Sequence, residues 1–131
     1  MLAVSKATGR DCECLPRIAT ALGGGVAGQG EVCGALMGGI LGIGLVYGRD
    51  RAEDTDAKAV AGARGREFYQ KFQEANKSVL CRAISGVDLR TSEGRQAFSD
   101  QNLHGNTCSG VVGSAVRLFL TLYEAGEGGQ A

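Results

Sequence analysis

Between Glu31 and Arg49 lies an uncharged stretch of sixteen residues, Val32 to Tyr47. Such a stretch has to be hidden from water, and its length decides where. As a helix it rises about 24 Å, short of the roughly 30 Å hydrocarbon core of a bilayer. It is therefore read as a buried helix of a water-soluble protein and not as a membrane span. Gly34, Gly38 and Gly42 recur at every fourth position, so on a helix they line one groove that another backbone can approach closely. That groove has room for a second helix of the chain or for a second subunit, which would make a homodimer.

Composition says that a core exists to receive this helix. The chain has 131 residues, enough for one domain (residues 1–131), with 22 glycines, one proline and no tryptophan. Disordered glycine-rich chains are rich in proline and poor in aliphatics, whereas 44% of residues here are hydrophobic. Aromatics are 5%, so the core must be aliphatic and closely packed. Fourteen basic residues balance fourteen acidic ones, which argues against nucleic acid, since phosphate binding needs a net basic surface. The opening Met1 to Arg10 shows no apolar run behind a basic start, so it is no secretory signal. A cytoplasmic location follows as the expectation. There thiols are kept reduced, and the five cysteines are expected to be metal ligands, redox-active or core residues rather than a permanent disulfide framework.

The rest of the chain has helical periodicity. Ala57, Ala61, Gly65, Phe68, Phe72 and Ala75 step by four or three and form one apolar stripe, with Asp54, Thr55 and Asp56 supplying a start signal. His104, Cys108, Val111, Ala115, Leu118 and Leu122 form a second stripe on a helix of about twenty residues, with a flexible tail expected over 125–131. Two shorter segments lie between them, one around Ser78–Ser85 closed by Gly86, the other beginning at Thr91 as N-cap and running toward Gln101. Period-two alternation is nowhere sustained. The expectation is an all-α, single-domain helical bundle. Five glycines in the eight residues Gly23–Gly30 form a tight loop into the glycine-grooved helix, placing Cys33 in that helix's first turn.

A helix start favours an anion, so a thiol at Cys33 suits a nucleophile or a metal ligand, although Glu31 opposes a second negative charge nearby. A small buried side chain filling space beside glycines is the plainer alternative. The loop lacks a preceding strand, a GK[ST] sequence and any basic residue between Arg17 and Arg49, so a nucleotide site is set aside. His104 and Cys108, four apart, share a helix face and could bind one metal or pair as thiolate and imidazolium. Cys12 and Cys14 have one residue between them, which is neither a redox CxxC nor a zinc knuckle, and no CxxCH exists for c-type haem.

The order of Gly23-Gly24-Gly25, Gly28, Gly30, Glu31-Val32-Cys33-Gly34-Ala35-Leu36-Met37-Gly38, Gly44-Leu45-Val46-Tyr47-Gly48, then Cys81 and Cys108 resembles the four-cysteine C_GCAxxG_C_C family of redox-active proteins. The resemblance spans roughly Leu15 to Leu122. It implies a small helical cytoplasmic protein with thiol redox or cofactor-linked chemistry, and a relation to split-Soret cytochromes. Cys33, Cys81 and Cys108 match three of the family's cysteines. The fourth sits upstream of the glycine loop in the family, in a leading helix of which residues 1–13 would here be the last part with its following loop; either the true start lies further upstream or Cys12 or Cys14 fills that role.

Three readings follow. In the first, Cys33, Cys81 and Cys108 exchange between thiol and disulfide near the glycine loop. In the second, the same cysteines with His104 hold a metal ion or an iron–sulfur cluster. In the third, the thiols are core filler in a binding or accessory module. Gly24, Gly34, Gly38 and Gly42 are structural in all three, and no redox partner can be named.

Overall fold

A computed structural model describes residues 1–127. Six α-helices follow in order: α1 (Leu2–Thr8), α2 (Gly34–Tyr47), α3 (Thr55–Asn76), α4 (Cys81–Ser85), α5 (Ser92–Asp100) and α6 (Ser109–Glu127), with a 3-10 segment at Arg17–Leu22 and a π-helical turn at His104–Cys108. Among the described residues there is no strand, and Val32 and Leu80 form an isolated antiparallel bridge. The fold is all-α, as the periodicity requires.

The helix starts fall where the local chemistry sets them. Asp54 caps α3 by accepting the Ala57 N–H at 2.9 Å, and Thr91 caps α5 by accepting the Gly94 N–H at 2.9 Å. Each satisfies a donor that a helix start leaves without an intrahelical partner. Gly86 ends α4 with φ 75°, a left-handed value that glycine adopts without steric cost. Of the expected tail, residues up to Glu127 continue α6, and residues 128–131 lie outside the described part.

Helices α2, α3 and α6 pack on one another, and α1 lies against α2 and α6. The core is Val4, Leu36, Ile43, Phe68, Phe72, Val111, Ala115, Phe119 and Leu122. It is less purely aliphatic than composition suggests: three of the four phenylalanines, Phe68, Phe72 and Phe119, are essentially inaccessible and form its centre.

The glycine face of α2 is covered by the chain itself. A Cβ at Gly42 would lie 3.1 Å from Val4 of α1, and one at Gly34 would lie 2.8 Å from the Leu22 carbonyl oxygen. Gly38 faces Met1. The groove is thus bordered by the first helix and the 3-10 segment, with Gly34 and Gly38 half-exposed beside them. The tightest approach is at Gly39, which the every-fourth spacing does not include: a Cβ there would overlap the Phe68 ring. It is the contact that seats α3 on α2.

Candidate functional site

The loop before α2 is wound in an unusual sense. Gly24, Gly25, Val26, Ala27 and Gly28 all have positive φ, between 53° and 77°, and Gly30 follows at 70°. Glycine takes such values freely; a β-branched valine does so against its preference. The turn is closed by backbone hydrogen bonds, in which the N–H groups of Ala27, Gly30 and Glu31 donate to the carbonyls of Ala21, Gly24 and Gly25. Gly24 allows the loop to fold on itself, because a Cβ there would lie 2.9 Å from the Gly28 Cα. Gly25 is buried, and a Cβ on it would lie 2.5 Å from the Cβ of Cys81. The glycine loop is therefore a seat for one of the family-matched cysteines.

From this seat the chain runs into the Val32–Leu80 bridge. The Cys33 N–H donates to the Val79 carbonyl at 2.8 Å, and the Cys81 N–H to the Glu31 carbonyl at 2.7 Å. Residues one step beyond a bridging pair on each segment are diagonal neighbours, typically about 7–8 Å apart between Cα atoms. Two cysteines 48 positions apart (81 minus 33) are so brought side by side. Sequence reasoning had no access to this pairing, since a single bridge leaves no alternating pattern. Cys33 is the N-cap of α2 and not a residue of its first turn; Cys81 is the first residue of α4. Glu31, expected to oppose an anion at Cys33, forms an ion pair with Arg82 at 3.2 Å, which offsets its charge.

The third thiol arrives through a distortion. The stretch His104–Cys108 is a π-helical turn joined to the start of α6, and such turns recur at functional sites. It interrupts the regular period on which the His104–Cys108 pairing was argued, yet both residues line the same cavity. Cys108 is half-buried and His104 exposed.

That cavity, about 310 Å³, is where the pieces meet. Cys33, Cys81 and Cys108 all line it, with Gly24, Gly34 and Gly38 of the loop and α2, and apolar walls from Leu22, Ile84, Phe98 and Val111. All three thiols are free. Burial pushes the Cys81 thiol above its ordinary pKa of 9.0, and negative charge on Cys33 and on Cys108 pushes it further, against a hydrogen bond with Ser85 that lowers it. Cys108 is raised from the same ordinary value, first by burial and then by charge on Cys33. Burial is thus the first cause that favours the protonated form of both, and negative charge from neighbouring sulfur adds to it.

Among the described residues, no group of three or more His, Cys, Asp or Glu is placed to hold a metal ion. Cys33, Cys81, Cys108 and His104 border one space but do not converge as a tetrahedral site requires, with every ligand within about 2.3 Å of one point.

Cys12 and Cys14 are elsewhere. They are joined to each other in a disulfide, their Cα atoms 5.2 Å apart, and neither lines the cavity. The sequence reading expected no such bond; the tight turn in which the Leu15 N–H donates to the Cys12 carbonyl, and the Cys12 N–H to Asp11 Oδ1, folds this segment back. Neither residue supplies a fourth thiol to the cavity.

Fold and site together define a helical bundle with a glycine-loop seat and three free thiols around one cavity. Over residues 1–122 the chain matches the family described as "Putative redox-active protein (C_GCAxxG_C_C)", and it belongs to that family. No curated protein matches it, and no solved structure does. Among the described residues, no helix is long and apolar enough to cross a membrane.

Proposed function

We propose that the chain is a thiol–disulfide exchange protein in which Cys33 attacks and Cys81 resolves. The observation that carries this reading is that three free cysteines, from the start of α2, the start of α4 and the π-turn before α6, line one cavity. Core filler would not need three separate elements to present sulfur to one open space. The division of roles rests on position: Cys33 stands at the N-cap of α2, where a helix start favours an anion, whereas Cys81 is buried and its thiol is pushed up, first by that burial. A neighbour that stays protonated does not compete for the first exchange, and it attacks as its thiolate in the second. Cys81 is the resolving thiol because a disulfide needs Cα atoms within about 7 Å, and the diagonal pairing across the Val32–Leu80 bridge is close to that range.

We read its location as the cytoplasm, where free thiols such as Cys33, Cys81 and Cys108 are kept reduced. The test is substitution. At neutral pH, Cys33→Ser should slow formation of mixed disulfides with a small disulfide reagent by about tenfold or more, since the thiols left are raised, and Cys81→Ser should trap the mixed disulfide on Cys33. Helical circular dichroism confirms that each variant is folded. Mixed-disulfide formation at the wild-type rate in folded Cys33→Ser would refute the assignment.

A further inference from the structure

The Cys12–Cys14 disulfide lies outside the cavity and takes no part in the exchange proposed there. It encloses a single residue, Glu13. What a disulfide adds to stability grows with the length of the loop it closes, so this bond adds almost the least that any can. The turn also holds itself. The Leu15 N–H donates to the Cys12 carbonyl at 2.9 Å and the Ile18 N–H to the Cys14 carbonyl at 3.1 Å, while the Leu15 side chain is buried. None of these contacts needs the sulfur–sulfur bond. When it opens, they keep the two thiols side by side and ready to close again, with Cα atoms held near the 5.2 Å that a disulfide bridges without strain. Both cysteines are partly exposed, and Arg10, Asp11, Glu13 and Arg17 around them are exposed and carry both signs of charge. In the compartment proposed above, protein disulfides are usually transient, catalytic or redox-sensing.

We infer that Cys12 and Cys14 form a second exchange site, which accepts two electrons from a dithiol that never enters the cavity and passes them to another disulfide. A thiolate of the dithiol attacks one of the two sulfurs, forming a mixed disulfide and releasing the other cysteine, which takes a proton. The second thiol of the dithiol then loses its proton and attacks its own sulfur in the mixed disulfide. A cyclic disulfide leaves, and the second cysteine is released and protonated. The dithiol loses two electrons and two protons, and the pair gains the same. An external disulfide, R–S–S–R, takes them on by the corresponding exchange, which restores the Cys12–Cys14 bond and yields two RSH. A monothiol does not complete the first half, because the freed cysteine beside the mixed disulfide expels it again.

Cys12 and Cys14 fall on one tryptic peptide, residues 11–17, apart from those that carry Cys33, Cys81 and Cys108, so alkylation and mass spectrometry read this pair alone in the whole chain. The oxidised protein is treated with dithiothreitol, with a reduced Cys-x-x-Cys peptide, or with glutathione at the same thiol concentration. Each dithiol should open the pair at a rate within about tenfold of its rate with bis(2-hydroxyethyl) disulfide, a freely exposed disulfide, and leave the helical circular dichroism unchanged. The dithiol with the higher ratio tells whether the source is a small molecule or a protein. Glutathione should give at least about tenfold less of the doubly alkylated peptide. After the dithiol is removed, bis(2-hydroxyethyl) disulfide should close Cys12 onto Cys14. Opening only in step with loss of the helical signal, or closure that stops at two mixed disulfides, would overturn the site, and equal opening by glutathione would overturn the dithiol class. None of these results bears on Cys33 and Cys81, whose exchange is read on their own peptides.

Discussion

Cys81 shows how one residue can be held both by packing and by charge. Its Cβ rests against the backbone of Gly25, and its thiol is kept protonated by burial and by its neighbours. Because the pKa values of Cys81 and Cys108 are raised on folding, the protonated form is the one that the fold favours. Their contribution to stability is whole below the ordinary value of 9.0 and is lost as pH climbs through the raised values. Site-resolved alkylation followed by mass spectrometry should therefore find Cys81 and Cys108 slow near neutrality and faster above pH 9.0. In Cys33→Ser both profiles should shift to lower pH, because one raising charge is gone; unchanged profiles would mean that Cys33 does not act on them. At Gly25 an added methyl meets both Cys81 and the Glu31 N–H, 2.7 Å away, at a φ of +70°. Gly25→Ala should cost about 2–4 kcal/mol in urea unfolding, from a left-handed backbone and an overpacked contact together.

At the scale of elements, the legible parts are those with their own signals. The caps Asp54 and Thr91, the terminator Gly86 and the Phe68/Phe72 stripe each specify structure within a few residues, and α3, α4 and α5 lie where those signals put them. What could not be read depends on partners distant in sequence. Gly39 looks like any residue of an apolar helix until Phe68 fills the space beside it. The π-turn has the i, i+4 spacing of an ordinary helix, and the Cys12–Cys14 bond has a spacing that matches no familiar thiol motif. Glycines on α2 consequently divide into two kinds. Gly44 is exposed, with open space where a Cβ would go, so Gly44→Ala should stabilise the protein by about 0.5–1 kcal/mol through helix propensity. Gly39→Ala should destabilise it by about 1–3 kcal/mol through overpacking. Thermal and urea unfolding of the two variants check both signs, and destabilisation by Gly44→Ala would show that the α2 face is not the one described.

For the whole molecule, the cysteines matched by resemblance and those gathered by folding are the same three. Residue order alone could suggest that Cys33, Cys81 and Cys108 act together; only the Val32–Leu80 bridge, the glycine seat and the π-turn bring them around one cavity. The same folding leaves Cys12 and Cys14 apart, paired with each other. The long uncharged stretch that dominates the sequence turns out to serve this arrangement from one end: its core-facing residues, Leu36 and Ile43, anchor α2, while its first residues present Cys33 to the cavity. The most direct test of the account is to count thiols by mass spectrometry in samples prepared without oxygen, first fully reduced and then mildly oxidised. The account predicts two fewer free thiols among Cys33, Cys81 and Cys108 after oxidation, with Cys33 linked to Cys81. The same three free thiols in both samples, with no Cys33-containing disulfide, would contradict it.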